Sequence, residues 1–154
     1  MVLACIYCID VKAQQVSERR FSAIDSVMHV KNDTLYVMNF WATWCKPCVK
    51  ELPAFEEANR KFNGRAFRMI LVSLDFANGI ETRIRPFLKE RDMKTEVWVL
   101  KESDYSTWID KVNEKWSGSL PATLIFNNGK KTRRFHEGEI SEGKLNDIIS
   151  GFLK

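Results

Sequence analysis

Four short apolar runs, separated by longer segments with helical spacing, constrain this chain more than any other feature. They are "TLYVMNFWA", "AFRMILVSLD", "EVWVL" and "PATLIF". Each has strand length. The first is apolar at both odd and even positions, so as a strand it is buried on both faces, and the second reads the same way. Such strands need helices above and below them. The intervening segments "FSAIDSVMHVKND", ending near Asn32, "KPCVKELPAFEEANRKFNG", "IETRIRPFLKERD" and "YSTWIDKVNEKW" supply candidates. Gly64 reads as a helix stop, Pro53 as a kink inside its helix, and Pro86 as an interruption or a start. After the last apolar run, "NNGK" with Gly129 makes a tight turn and "KTRRFHE" a returning strand. "SEGKLNDIISGFLK" closes the chain as an amphipathic helix. Strands alternating with helices, then a hairpin and a helix, predict an α/β fold with one sheet covered on both faces. No linker is evident, so residues 14–154 are expected to form a single domain.

The bulk properties agree. A chain of 154 residues that is 45% hydrophobic can bury a core without staples. Its net charge of +4 is small, and its basic residues are scattered among acidic ones. The run "KKTRRF" (130–135) reads as a solvated edge strand whose charges oppose edge-to-edge pairing. No nucleic-acid motif, repeat or apolar stretch of about 18 residues is present, so neither nucleic acid nor a spanning helix is expected. His29 and His136 stand alone, without ligand spacing, and take no metal role. A monomer is expected.

The four cysteines form two C-x-x-C pairs, Cys5/Cys8 and Cys45/Cys48. Together they suggest a zinc site, but they are much farther apart than the roughly 15–20 residues usual between such pairs. The first pair also lies in "MVLACIYCIDVKAQQ", an apolar run ending in V-x-A. That run resembles the end of a secretory signal peptide cleaved after Ala13, although the charged start of such a peptide is missing. Residues 1–13 are then a signal-peptide remnant, and the domain is exported to the periplasm or cell envelope. "VLAC" also loosely resembles a lipoprotein box at Cys5, and an N-terminal strand of a cytoplasmic domain is the plain alternative.

The second pair sits at the junction of an apolar strand and a helix, in "NFWATWCKPCVKELPAF". A cysteine at the first turn of a helix lies near unpaired N–H groups and the positive end of the helix dipole. Both favour thiolate over thiol, and such a thiol can titrate well below its usual pKa of about 8.5. Cys45 has that place, and Cys48 lies one turn inside. Pro47 is tolerated there because it has no N–H to lose, and Lys46 adds a positive charge. Trp44 offers a flat apolar wall for a peptide. The arrangement suits Cys45 as nucleophile on a substrate disulfide and Cys48 as the resolving thiol. As a structural crosslink, so short a loop would stabilise little.

"FWATWCKPC" resembles the active-site motif of the thioredoxin superfamily, and the longer pattern resembles its TlpA/ResA-like thiol-disulfide oxidoreductases. The likeness runs from about Thr34 to the C-terminus. It implies a thioredoxin-like fold with a central mixed sheet and helices on both faces. The stretch between Cys48 and Pro121 is longer than a minimal thioredoxin needs, and the extra length around Phe76 to Trp98 fits a TlpA-like helix–strand insertion. "SLPATLIF" resembles the family's cis-proline segment. It implies a cis Leu120–Pro121 bond, with the Leu120 backbone pairing to an extended substrate. Small thioredoxins bury an aspartate where this chain has Asn39, which cannot exchange a proton. In the ResA-like branch an acidic residue at the end of the next strand can take that role, and Asp75 is the candidate here, with capping of the next segment as its plainer use. Trp108 and Trp116 lie on one face of the helix expected over "YSTWIDKVNEKW", and either pack in the core or line a groove.

The resemblance implies no cofactor beyond the redox-active Cys45–Cys48 disulfide. The implied partners are disulfide-containing proteins and, for an exported chain, a membrane thiol donor. Two alternatives come from other chemistries. A peroxiredoxin-like peroxidase carries Thr three residues before its reactive cysteine, where this chain has Ala42 and a displaced Thr43. A chaperone-like module could hold copper(I) or zinc on Cys45 and Cys48, though the motif brings no third ligand. Cleavage after Ala13 predicts a mature chain beginning at Gln14, which N-terminal sequencing of the native protein checks; a chain retaining Met1 in the cytoplasm would contradict it.

Overall fold

A computed structural model describes residues 15–154. The expected leader, with Cys5 and Cys8, lies outside the described residues. The chain runs β1 (Val16–Arg19), α1 (Phe21–His29), β2 (Leu35–Trp41), α2 (Lys46–Phe62), β3 (Phe67–Ser73), α3 (Arg85–Glu90), β4 (Glu96–Leu100), α4 (Ile109–Val112), β5 (Ala122–Asn127), β6 (Thr132–Glu137) and α5 (Glu142–Phe152). The strands form one six-stranded sheet in the order β1-β4-β3-β2-β5-β6. β1, β4, β3 and β2 are mutually parallel; β5 runs antiparallel to β2, and β6 antiparallel to β5.

Period-two alternation along buried strands creates two cores. Leu35, Val37 and Trp41 of β2, with Met69 and Leu71 of β3, face α2, α3 and α5. Tyr36, Met38 and Phe40, with Ile70 and Val72, face α1 and the Trp108–Trp116 region. Asn39 falls on the α2 face and is fully buried. Helix α2 turns Cys48, Leu52, Phe55 and Ala58 inward, with Glu51 on the same stripe. It continues through Pro53 to a C-cap at Asn63, followed by Gly64 at φ +81°.

The departures from expectation are local. β1 looks like polar chain in the sequence, because four residues with one buried side chain, Val16, leave little periodic signal. It adds to the sheet beside β4. The helix expected over "YSTWIDKVNEKW" is broken into a single tight turn at Tyr105–Thr107 and the one-turn α4. Asp104 caps the first turn by accepting from Ser106 N–H at 3.1 Å, and Asn113 is extended, so two local stops interrupt the pattern. The segment after β3 begins with irregular turns over 77–84 before α3 starts at Arg85 beside Pro86. It then delivers β4, the helix–strand unit expected there.

The β5–β6 turn anchors the far end of the sheet. Asn128 Nδ2 donates to the carbonyls of Met28 and Val30 at 3.1 and 2.8 Å, satisfying the end of α1. Gly129 N–H donates to Asn32 O at 2.8 Å. A Cβ at Gly129 would sit 2.9 Å from that same oxygen, which is backbone and cannot swing away. Gly129→Ala is therefore expected to lower stability by about 1–3 kcal/mol, as overpacked sites do, read from the denaturant midpoint.

Candidate active site

The C-terminal ends of β2 and β3 are tied together before the helix begins. Leu74 N–H donates to Trp41 O at 2.8 Å. Thr43 N–H donates to Asp75 Oδ2 at 2.9 Å, and the Thr43 hydroxyl to Oδ1 at 2.6 Å. The Ser73 hydroxyl donates to Oδ2 at 2.8 Å. Buried Asp75 thus grips the loop that leads into the cysteines. Cys45 N–H then closes a turn onto Ala42 O at 3.1 Å, and α2 starts at Lys46.

Cys45 is the N-cap of α2, and its Sγ accepts from Cys48 N–H at 3.3 Å. The two cysteines form a disulfide, with Cα atoms 5.3 Å apart. Their access to solvent differs: Cys45 is 7% exposed and Cys48 is 0% exposed. Lys46 and Pro47 occupy the first two helical positions, both exposed, and Trp44 is 61% exposed. A cavity of about 390 Å³ opens beside Cys45, lined among others by Trp44, Lys46, Pro47, Trp108, Trp116 and Leu120.

The Leu120–Pro121 bond is cis, as the resemblance implied. The loop before it is held by Glu137 at the end of β6. That carboxylate accepts from Ser117 N–H at 3.1 Å, from Ser119 N–H at 3.3 Å and from the Ser117 hydroxyl. The Ser117 hydrogen bonds hold its carboxyl below the usual carboxylate range. Gly138 N–H reaches Pro121 O at 2.8 Å. Leu120 packs against both cores.

A second carboxylate lies inside the fold. Glu51 is on α2, one turn after Cys48, and is 3% exposed. Asn39 Nδ2 donates to its Oε1 at 2.8 Å and to Thr123 Oγ1 at 3.2 Å. Ile140 N–H donates to Oε2 at 2.8 Å. Burial pushes the Glu51 carboxyl up to about 7, and the bonds from Ile140 and Asn39 only partly oppose it. Glu139 adds a repulsive charge, itself paired with Lys50 at 2.7 Å.

The structure thus gathers Trp44, Cys45, Lys46, Pro47 and Leu120 around one cavity, with Cys48 behind Cys45 and Pro121 following Leu120. It places Asp75 on Thr43 and Ser73. Glu51, Thr43, Thr123 and Glu137 stand outside the site expected from the sequence. The signal for Glu51 is present there: an acidic residue within the stripe Cys48, Leu52, Phe55 has to point inward. Thr123 pairs with Asn39 across β5 and β2, and nothing in the sequence gives that register.

A family profile described as AhpC/TSA matches residues 8–134. A thiol-disulfide oxidoreductase ResA of Bacillus cereus is 36% identical over 112 residues, covering 73% of this chain and 60% of that protein. The thioredoxin-like protein YneN of Bacillus subtilis (strain 168) is 27% identical over 114 residues, covering 71% of this chain and 59% of its own length. The chain therefore spans about 60% of the length of these curated relatives. Among solved structures, a thioredoxin-related protein from Neisseria meningitidis serogroup B superposes with a TM-score of 0.68 at 25% identity, covering 82% of this chain and 90% of that one. The thioredoxin-like fold follows from this likeness and from the sheet itself.

Because folding raises the Glu51 pKa, the folded state holds a proton there that the unfolded chain releases near its ordinary value of 4.5. Stability from this group is full below about pH 4.5, falls as pH rises, and levels off above about 7. Glu51→Gln removes that slope. The variant is expected to match wild type at pH 4 and exceed it by up to roughly 3 kcal/mol at pH 8, measured by denaturant unfolding across pH.

Proposed function

We propose that this chain, which belongs to the AhpC/TSA family, is a thiol-disulfide oxidoreductase that reduces protein disulfides by dithiol exchange. The observation that carries this is the asymmetry of the pair: Cys45 caps a helix N-terminus at the mouth of a cavity, and Cys48 is sealed behind it. The names of the ResA relatives support it.

In the reduced protein the Cys45 thiolate attacks one sulfur of a substrate disulfide. A Cys45–substrate disulfide forms, and the first substrate sulfur leaves as thiolate. Cys48, as thiolate, then attacks Cys45 Sγ. The Cys45–Cys48 disulfide forms, the second substrate sulfur leaves, and both substrate thiolates take protons. Two electrons pass from protein to substrate. The helix N-terminus stabilises the attacking Cys45 thiolate. Glu51, one turn from Cys48 and titrating near 7, is the group suited to take the Cys48 proton. Asp75 acts by fixing the loop through Thr43. Trp44 and the Leu120 backbone hold the peptide, and Lys46 and Pro47 shape the mouth.

The peroxidase alternative needs a Thr where Ala42 stands, and the Thr43 hydroxyl is committed to Asp75. For the metal-holding alternative, no group of three or more His, Cys, Asp or Glu side chains with ligating geometry occurs among the described residues. A dithiol donor must restore the reduced state. For a chain exported to the periplasm or cell envelope, that donor is a membrane thiol carrier. Among the described residues no helix is long and apolar enough to cross a membrane.

Cys48→Ser is expected to accumulate mixed disulfides with substrate on Cys45 and to lose insulin-disulfide reduction. Cys45→Ser should form no adducts, and alkylation of the reduced protein near neutral pH should label Cys45 first. Adducts formed on Cys48 alone would reverse the assignment, and stoichiometric copper(I) or zinc capture without insulin reduction would replace it.

A further inference from the structure

We propose that the cavity beside Cys45 is a subsite for one large apolar side chain of the substrate, within two residues of the attacked cysteine, and that Tyr105 sets this preference. The proposal depends on dithiol exchange at Cys45.

The inner wall of the cavity is aromatic and fixed. Trp108 and Trp116 both line it, both are buried, and their rings meet edge to face at 5.8 Å. Phe21 and Phe40 stack against Trp108 at 5.6 and 6.1 Å, and the Trp116 indole N–H donates to Ser119 O at 2.9 Å. A wall braced in this way exists before any ligand arrives, so binding costs little ordering. The volume of about 390 Å³ lies at the small end of ligand pockets, so it admits a large side chain with its neighbouring peptide but not a folded segment.

The outer lip is different. Tyr105 stands edge-on to Trp108 at 5.7 Å and is 41% exposed. Its turn belongs to the segment where the expected helix is broken, so the ring projects from a loop. Closing an apolar side chain between Tyr105 and Ile109 removes apolar surface from water on both partners.

Charge narrows the occupant further. Among the described residues, Lys46 carries the only charged side chain in the lining, and no acidic residue faces the cavity. A Lys or Arg side chain would lose hydration and meet like charge. An Asp or Glu side chain would lose hydration against indole walls. Methionine, leucine and aromatic side chains fit these conditions.

The Leu120 backbone fixes which substrate residue can enter. A peptide extended along it advances about 3.3 Å per residue, so only residues within two of the attacked cysteine reach a cavity lined by both Cys45 and Leu120.

Disulfide peptides with Leu, Phe, Met, Gly, Lys or Asp at each of the four positions within two of the cysteine test this, with oxidised glutathione as a separate substrate. In one positional series, wild type should reduce the Leu, Phe and Met peptides with kcat/KM about tenfold or more above the Gly, Lys and Asp peptides, mainly through KM. Tyr105→Ala should shrink that ratio to below about threefold, and Tyr105→Phe should keep it. Ile109→Trp, which narrows the cavity, should lower kcat/KM for the Leu, Phe and Met peptides more than for the Gly peptide. Equal kcat/KM across all four series in wild type overturns the subsite, and an undiminished ratio in Tyr105→Ala overturns the role of Tyr105. Failure of dithiol exchange reads differently: wild type then reduces neither the peptides nor glutathione.

Discussion

The Glu51 carboxylate joins three parts of the molecule that would otherwise meet only through apolar contact. It belongs to α2, takes a bond from Asn39 of β2, and takes another from the Ile140 N–H that leads into α5. Through Asn39 it also reaches Thr123 of β5. Burying a carboxylate beneath a dithiol is costly, and the hydrogen bonds do not fully offset the lost hydration. The result is a group poised near neutrality rather than one held firmly charged. An apolar residue at position 51 would pack more simply. It would leave the Ile140 N–H without an acceptor and the Asn39 amino group with Thr123 Oγ1 alone.

The dithiol lies where the two cores meet the end of the sheet. Cys45 and Cys48 pack with the α2, α3 and α5 core, which also contains the Glu51–Asn39 pair. The aromatic wall of the cavity comes from the opposite core. Leu120 packs against both. The buried carboxylate and the aromatic cavity are therefore built from different layers, joined at the carboxyl ends of the parallel strands, where open α/β sheets place their ligands. The aromatic wall and the Glu51–Asn39 pair share no side chain, so a change in one leaves the other's partners in place.

Much of this is legible in the sequence because period and spacing are strong signals. The runs at 35–41, 67–73 and 96–100 are strands as expected, and the dithiol sits at the expected strand–helix junction. The illegible parts share one cause: they depend on partners distant in sequence. β1 has a single buried side chain and exists because β4 offers an edge. The segment from Tyr105 to Trp116 has helical spacing, but capping at Asp104 and an extended Asn113 break it, and tertiary packing buries both tryptophans without a continuous helix. Asp75 can be named from its place after β3, but its grip on Thr43 needs the two strands side by side. Glu51 hides behind a general tendency: charged residues belong to the wet face of a helix unless the buried stripe is counted residue by residue.

Two cysteines three residues apart do not by themselves make a nucleophile and a resolver. Position does, and position here is set by short links that precede the helix. The Asp75 bonds to Thr43 and the Leu74–Trp41 bond leave the chain few ways to leave β2. The turn from Ala42 to Cys45 then fixes where α2 begins, so that Cys45 caps it and its sulfur meets the Cys48 N–H. Had the helix begun one residue earlier, Cys45 would lie inside the first turn and its sulfur would lose the capping N–H. Cys48 would also rotate by about 100° off the buried stripe. The difference in exposure between the two cysteines follows from where the helix starts.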